Sequence, residues 1–152
     1  MTTAAATATV IETLEIQKTI QIDAPIEIAF EAMLEEIGPD VQMMDGSAMP
    51  MKLEPWPGGR WYRDLGNNAG HLWGHVQVIK PPTLLELCGP LMMSYPAVNH
   101  VQYKFMAEGP NTRLSFTHRG MGQFLPQHRD GVDQGWSYWL EKIRSRAERS
   151  KP

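Results

Sequence analysis

Residues 132–147, VDQGWSYWLEKIRSRA, decide the fold. Val132, Trp136, Trp139, Leu140, Ile143 and Ala147 recur at the spacing of one helical face, so the stretch reads as a long amphipathic helix. Its end is basic, with Lys142, Arg144, Arg146, Arg149 and Lys151 complementing the negative end of the helix dipole. A solvated basic face is expected there rather than an anion site. Gly131 and Gly135 each weaken a helix by about 1 kcal/mol relative to Ala. Their presence predicts close backbone approach to a sheet or to a ligand.

Everything upstream has a different period. Leu14, Ile16, Lys18, Ile20 and Ile22 alternate with polar residues, which is a half-buried strand. Asp23-Ala24-Pro25 then turns the chain into a short helix over residues 25–36, ended by Gly38-Pro39. Residues 38–50 form a long Met-containing connection of the kind that often serves as a lid. Short strands follow over 49–54, 60–65, 71–80 and 84–88, separated by turns rich in Pro, Gly and Asn. Residues 98–107 and 112–119 alternate around Gly109-Pro110-Asn111 and predict a hairpin. On strand 71–80 the inner face stays open: Leu72, Gly74, Val76 and Val78 compete with Trp73 and Ile79. Trp56 and Trp61 flank a turn and are expected to pack in the core.

An antiparallel sheet with one polar face must cover the other, and only the C-terminal helix is long enough to do so. The expected fold is α+β: a curved antiparallel sheet of six to seven strands around a long C-terminal helix, with one or two short helices after the first strand. Residues 12–150 make one domain, behind a disordered tail at 1–11.

Composition narrows the function. The chain has 152 residues and a net charge of -3, so no basic excess exists to neutralise nucleic-acid phosphates. No run of about 18 apolar residues is present, which argues against a membrane span. The one cysteine, Cys88, cannot form an internal disulfide, and a cytoplasmic location is the expectation. His71 and His75 share a strand face but stand roughly 13 Å apart, too far to chelate one ion. No metal and no cofactor are expected. The 10 Met are unusual for this length and suit either irregular core gaps or a surface that adapts to apolar shapes.

Four places together resemble the START-like (SRPBCC) superfamily, and within it the subfamily named after the activator of the heat-shock-protein-ninety ATPase. They are the first strand entering Asp23-Ala24-Pro25; Trp56-Pro57-Gly58-Gly59-Arg60-Trp61; Gly74 to Ile79 through Pro81-Pro82 into Leu84-Leu85-Glu86-Leu87; and Thr112-Arg113-Leu114 through Thr117-His118-Arg119-Gly120, followed by Gly135-Trp136. The resemblance implies a helix-grip fold with a deep cavity. That fold hosts carriers, receptors, cyclases, hydroxylases and co-chaperone domains, so function has to be argued from the site. The stretch shows no counterpart of the extra N-terminal domain of eukaryotic activators and no iron–sulfur ligand set, which weakens the chaperone and hydroxylase roles.

Strand parity supplies cavity candidates: polar Lys18, Asn99, Tyr103 and His118, with apolar Met51, Leu53, Phe105, Leu114, Phe116 and Trp136. Apolar walls with a few polar groups are the usual make-up of a ligand pocket. Binding of a small hydrophobic or amphipathic ligand is therefore the leading expectation. A polyketide cyclase- or dehydratase-type enzyme is the alternative, if His118 and Tyr103 converge as acid and base. A third is a chaperone-regulating module that meets a protein partner through residues 38–57. No residue is assigned as catalytic.

Overall fold

The computed structural model describes residues 5–152. Residues 5–11 carry no regular structure; the rest of the expected tail, residues 1–4, lies outside the described residues. The elements are β1 (Glu12–Ile22), α1 (Ile26–Glu36), β2 (Lys52–Leu53), β3 (Arg60–Gly66), β4 (Ala69–Lys80), β5 (Leu84–Gly89), β6 (Ala97–Glu108), β7 (Asn111–Gly122) and α2 (Pro126–Ser150). The strands form one antiparallel sheet in the order β1-β7-β6-β5-β4-β3-β2. No helix among the described residues is long and apolar enough to cross a membrane.

Alternation decides which face of the sheet meets the helices. Asn99, Val101, Tyr103 and Phe105 of β6 are buried, as are Thr112, Leu114, Phe116 and His118 of β7. Register places Val101 opposite His118, Tyr103 opposite Phe116 and Phe105 opposite Leu114. On β4 both competing sets prove partly inward, because two irregularities reset the parity. The β3 pairing skips from Gly74 to Leu72, and the β5 pairing skips from Val76 to Val78. Each skip adds one unpaired residue and turns the side chains that follow to the other face. Trp73 and Val76 therefore both face the core, at 5% and 2% exposure. Trp61 is fully buried and donates its indole N–H to the Ile37 carbonyl at 2.7 Å. Trp56 departs from expectation: it is 55% exposed, outside the core.

α1 buries Ala29, Phe30, Ala32 and Met33, with the Phe30 ring set edge-on to Phe105 at 5.4 Å. α2 begins at Pro126, a residue suited to a first helical turn because it has no N–H to leave unpaired. Its apolar stripe (Val132, Trp136, Leu140, Ile143, Ala147) is buried. α1 packs on α2 and on β6 and β7, and so covers one part of the concave face.

The basic end of α2 is not uniformly solvated. Arg146 reaches Glu36 at 3.1 Å and Asp40 at 2.8 Å, and also pairs with Glu35. Glu36 is only 6% exposed, so losing its partner leaves a charge stranded. Arg146→Met is expected to lower stability by about 2 kcal/mol, toward the range for breaking buried pairs. Urea unfolding checks this. A change below about 0.5 kcal/mol would place the cluster with ordinary surface pairs.

Candidate ligand cleft

Where α1 does not reach, two loops and the first half of α2 enclose a cleft of about 430 Å³, within the ~300–1,000 Å³ typical of small-molecule sites. From α2 come Gly131, Val132, Gly135, Trp136 and Trp139; from β4 comes Trp73. Met43, Met44 and Met49 of the connection after α1 close one side, and Met92 of the loop after β5 another. Gln127 and His128 stand at the start of α2.

The two helix glycines make the room. A Cβ at Gly131 or Gly135 would meet no atom within 4 Å. The close approach to the sheet that they suggested is absent; both open onto the cleft instead. The Met connection is held in place by an isolated bridge between Gln42 and Ala48. Its tight turn places Gly46 at φ +87°, a region that favours glycine. The Trp139 indole N–H donates to the Gln42 carbonyl at 3.1 Å and ties this segment to α2.

Three indoles line the cleft, and two of their N–H groups are taken by the protein. Trp139 uses its own on Gln42. Trp136 donates to His118 Nδ1 at 2.9 Å, and His118 Nε2 lies 2.7 Å from Asn99 Oδ1. The Trp136 donor requires Nδ1 to accept, so the proton sits on Nε2 and His118 donates to Asn99. The Asn99 amide donates in turn to the Gly89 carbonyl at 3.2 Å. Gly120 lies opposite Asn99, and a Cβ there would come within 2.4 Å of Asn99 Oδ1. Burial lowers the His118 pKa to about 4, keeping the ring neutral as this relay demands. The third indole, Trp73, stacks on Trp139 with centroids 6.0 Å apart. Its buried N–H has no partner among the described residues, a state that costs about 1–3 kcal/mol.

Of the ten residues named from strand parity, Trp136 alone lines this cleft. Lys18 sits on the inner side of β1 but pairs with Asp133 at 2.7 Å. Met51, Phe105, Leu114 and Phe116 are packed in the core, with Leu53 partly buried against it. Asn99 and His118 stand behind Trp136 as its support. Tyr103 is fully buried, with its ring edge-on to Phe116 at 5.0 Å. Its hydroxyl has no partner among the described residues, and burial pushes its pKa well above the usual range. Tyr103 and His118 share the inner face without hydrogen bonding to each other, and both His118 nitrogens are engaged. Sequence reasoning did not assign Gln127 and His128; neither stands out by pattern. His128 Nδ1 lies 2.8 Å from the Tyr95 hydroxyl. Among the described residues, no three His, Cys, Asp or Glu side chains gather as a metal site.

A curved antiparallel sheet gripping a long C-terminal helix defines a helix-grip protein of the START-like (SRPBCC) type. The family model "Activator of Hsp90 ATPase homolog 1-like protein" matches residues 23–148, and the chain belongs to that family. Solved structures agree on the fold. Protein MLL2253 from Mesorhizobium loti is 18% identical, with a TM-score of 0.65 over 93% of this chain and 100% of that one. Mll3558 from Rhizobium loti is 16% identical, with a TM-score of 0.70 over 91% and 99%. CalU16 from Micromonospora echinospora is 20% identical, with a TM-score of 0.58 over 91% and 83%. Among curated proteins none matches the chain.

Proposed function

We propose that this protein binds a small apolar molecule in the cleft between α2, β4 and the Met connection. The observation that carries the reading is the lining itself: three indoles and four thioethers around about 430 Å³, with two helix glycines withholding side chains that would fill it. Methionine adapts its shape and contacts aromatic rings favourably. An apolar ligand entering between Met43, Met44 and Trp136 would exchange water contact for such contacts.

The geometry gives less support to acid–base catalysis. General catalysis needs a titrating group within hydrogen-bond reach of the substrate. Tyr103 and His118 are both fully buried and do not line the cleft. His128 does line it, with its Nδ1 2.8 Å from the Tyr95 hydroxyl.

The test is a panel of aromatic, sterol and fatty-acyl compounds screened by native mass spectrometry and thermal shift. A 100-fold excess of ligand over Kd stabilises the folded state by about 2.7 kcal/mol, a readily measured rise in melting temperature. If no compound is retained and none raises the melting temperature, the reading fails. The exposed Met43, Met44 and Trp56 would then direct the search toward a protein partner.

A further inference from the structure

Resting on the cleft reading above, we infer that the ligand is a single-chain amphiphile. Its one neutral polar end, a hydroxyl or primary amide, sits against Gln127 and His128, and its chain runs along α2 toward Trp139. The cleft follows one face of that helix, where Gln127, Gly131, Gly135 and Trp139 recur every four residues. At about 1.5 Å of rise per residue, those positions span a trough about 18 Å long. Spread over that length, about 430 Å³ leaves a mean section of about 24 Å². That suits one hydrocarbon chain and is too narrow for a sterol ring system.

The side-chain hydrogen-bonding groups that a guest can reach stand at one end. The exposed Gln127 amide makes no hydrogen bond among the described residues, and His128 spends Nδ1 on the Tyr95 hydroxyl, which leaves Nε2. Farther along, the Trp136 and Trp139 N–H groups are committed to His118 and Gln42, and the Trp73 N–H is sealed inside the protein. A primary amide both donates and accepts, so a ligand group that does likewise matches Gln127. No lining side chain carries a fixed charge to offset an ionised head, which favours a neutral one. The indole faces are largely spent within the protein: Trp73 stacks on Trp139, and Trp136 packs on Phe116 with centroids 4.7 Å apart. What remains for the body of a guest is thioether and glycine backbone, with Met43 and Met44 at 47% and 60% exposure. Flexible thioethers fit methylene groups of any conformation.

Straight-chain 1-alkanols from hexanol to dodecanol test both halves of the assignment on the isotope-labelled full chain. Affinity should rise about fourfold with each added CH₂. Hexanol, too short to reach from one end to the other, should shift the Gln127 side-chain amide and His128 ring resonances and leave the Trp139 indole unmoved. Dodecanol should shift all three. The double variant Gln127→Leu with His128→Phe, both at the start of α2, should weaken every alkanol about tenfold while the fourfold step persists. If that variant does not fold, the order of the shifts in the native chain decides alone. A Trp139 response to hexanol with Gln127 and His128 silent would overturn the orientation. A flat affinity series, with a ring compound from the panel retained, would overturn the chain and leave the cleft reading standing. Absence of binding by alkanols and panel alike would remove both.

Discussion

Acidification from pH 7 to pH 4 is expected to remove about 3 kcal/mol of stability through His118 alone, at about 1.4 kcal/mol for each unit of pKa difference. The imidazole falls from an ordinary 6.5 to about 4 in the folded chain, and burial is the cause. Between those values the unfolded chain binds a proton that the folded chain refuses. Stability therefore rises with pH through that window: it is fully present above about 6.5 and lost progressively down to about 4. The hydrogen-bond geometry acts in the same direction. A second ring proton would sit on Nδ1, where the Trp136 indole already donates at 2.9 Å. Two donors would then face each other inside the protein. Urea unfolding at several pH values measures the slope, and the carbon-bound ring-proton resonances identify the group. A His118 signal titrating near 6.5 would defeat the assignment. Because Trp136 lines the cleft, ligand affinity should decline over the same acidic range.

The double substitution Gly131→Leu with Gly135→Leu should move stability and binding in opposite directions. Neither glycine has a positive φ, and a Cβ at either position meets no neighbour within 4 Å. Replacing them with a good helix former should raise stability by about 1 kcal/mol each. The added side chains place eight more carbon atoms in a cleft of about 430 Å³. Affinity for a compound that fills the cleft should fall by about 5- to 150-fold, since overpacking a well-packed site costs about 1–3 kcal/mol. Thermal unfolding gives the first effect and titration with any hit from the compound panel the second. A variant that is stabilised but still binds at full strength would place the ligand elsewhere.

Much of the architecture is legible in the sequence. The alternation of Val101, Tyr103 and Phe105 against Gln102 and Lys104 placed β6, and the same rule placed Leu114, Phe116 and His118 on β7. The helical stripe from Val132 to Ala147 identified the element that covers the sheet. These readings succeed because each depends on local geometry: a period of two in a strand and 3.6 in a helix, with burial on one face. Trp136 belonged to that stripe, and it does line the cleft. The other strand-derived candidates share its face without sharing its cavity. Parity reports which side of a sheet a residue occupies, and not whether the space above it is filled by α1.

The tertiary structure alone decided where that space is. Met43, Met44, Met49 and Met92 lie in loops without a period, so their convergence on Trp73 and Trp139 depends on where two separate connections cross the sheet. Trp73 itself faces inward beside Gly74 because skipped pairings on β4 interrupt strict alternation. The Asn99–His118–Trp136 relay joins β6, β7 and α2 across long separations in sequence, and only folding sets its hydrogen bonds. Local periodicity therefore determined the sheet, the helix and their facing sides. The cavity arises where α1 stops short and two helix positions carry no side chain, and that is a property of packing in three dimensions.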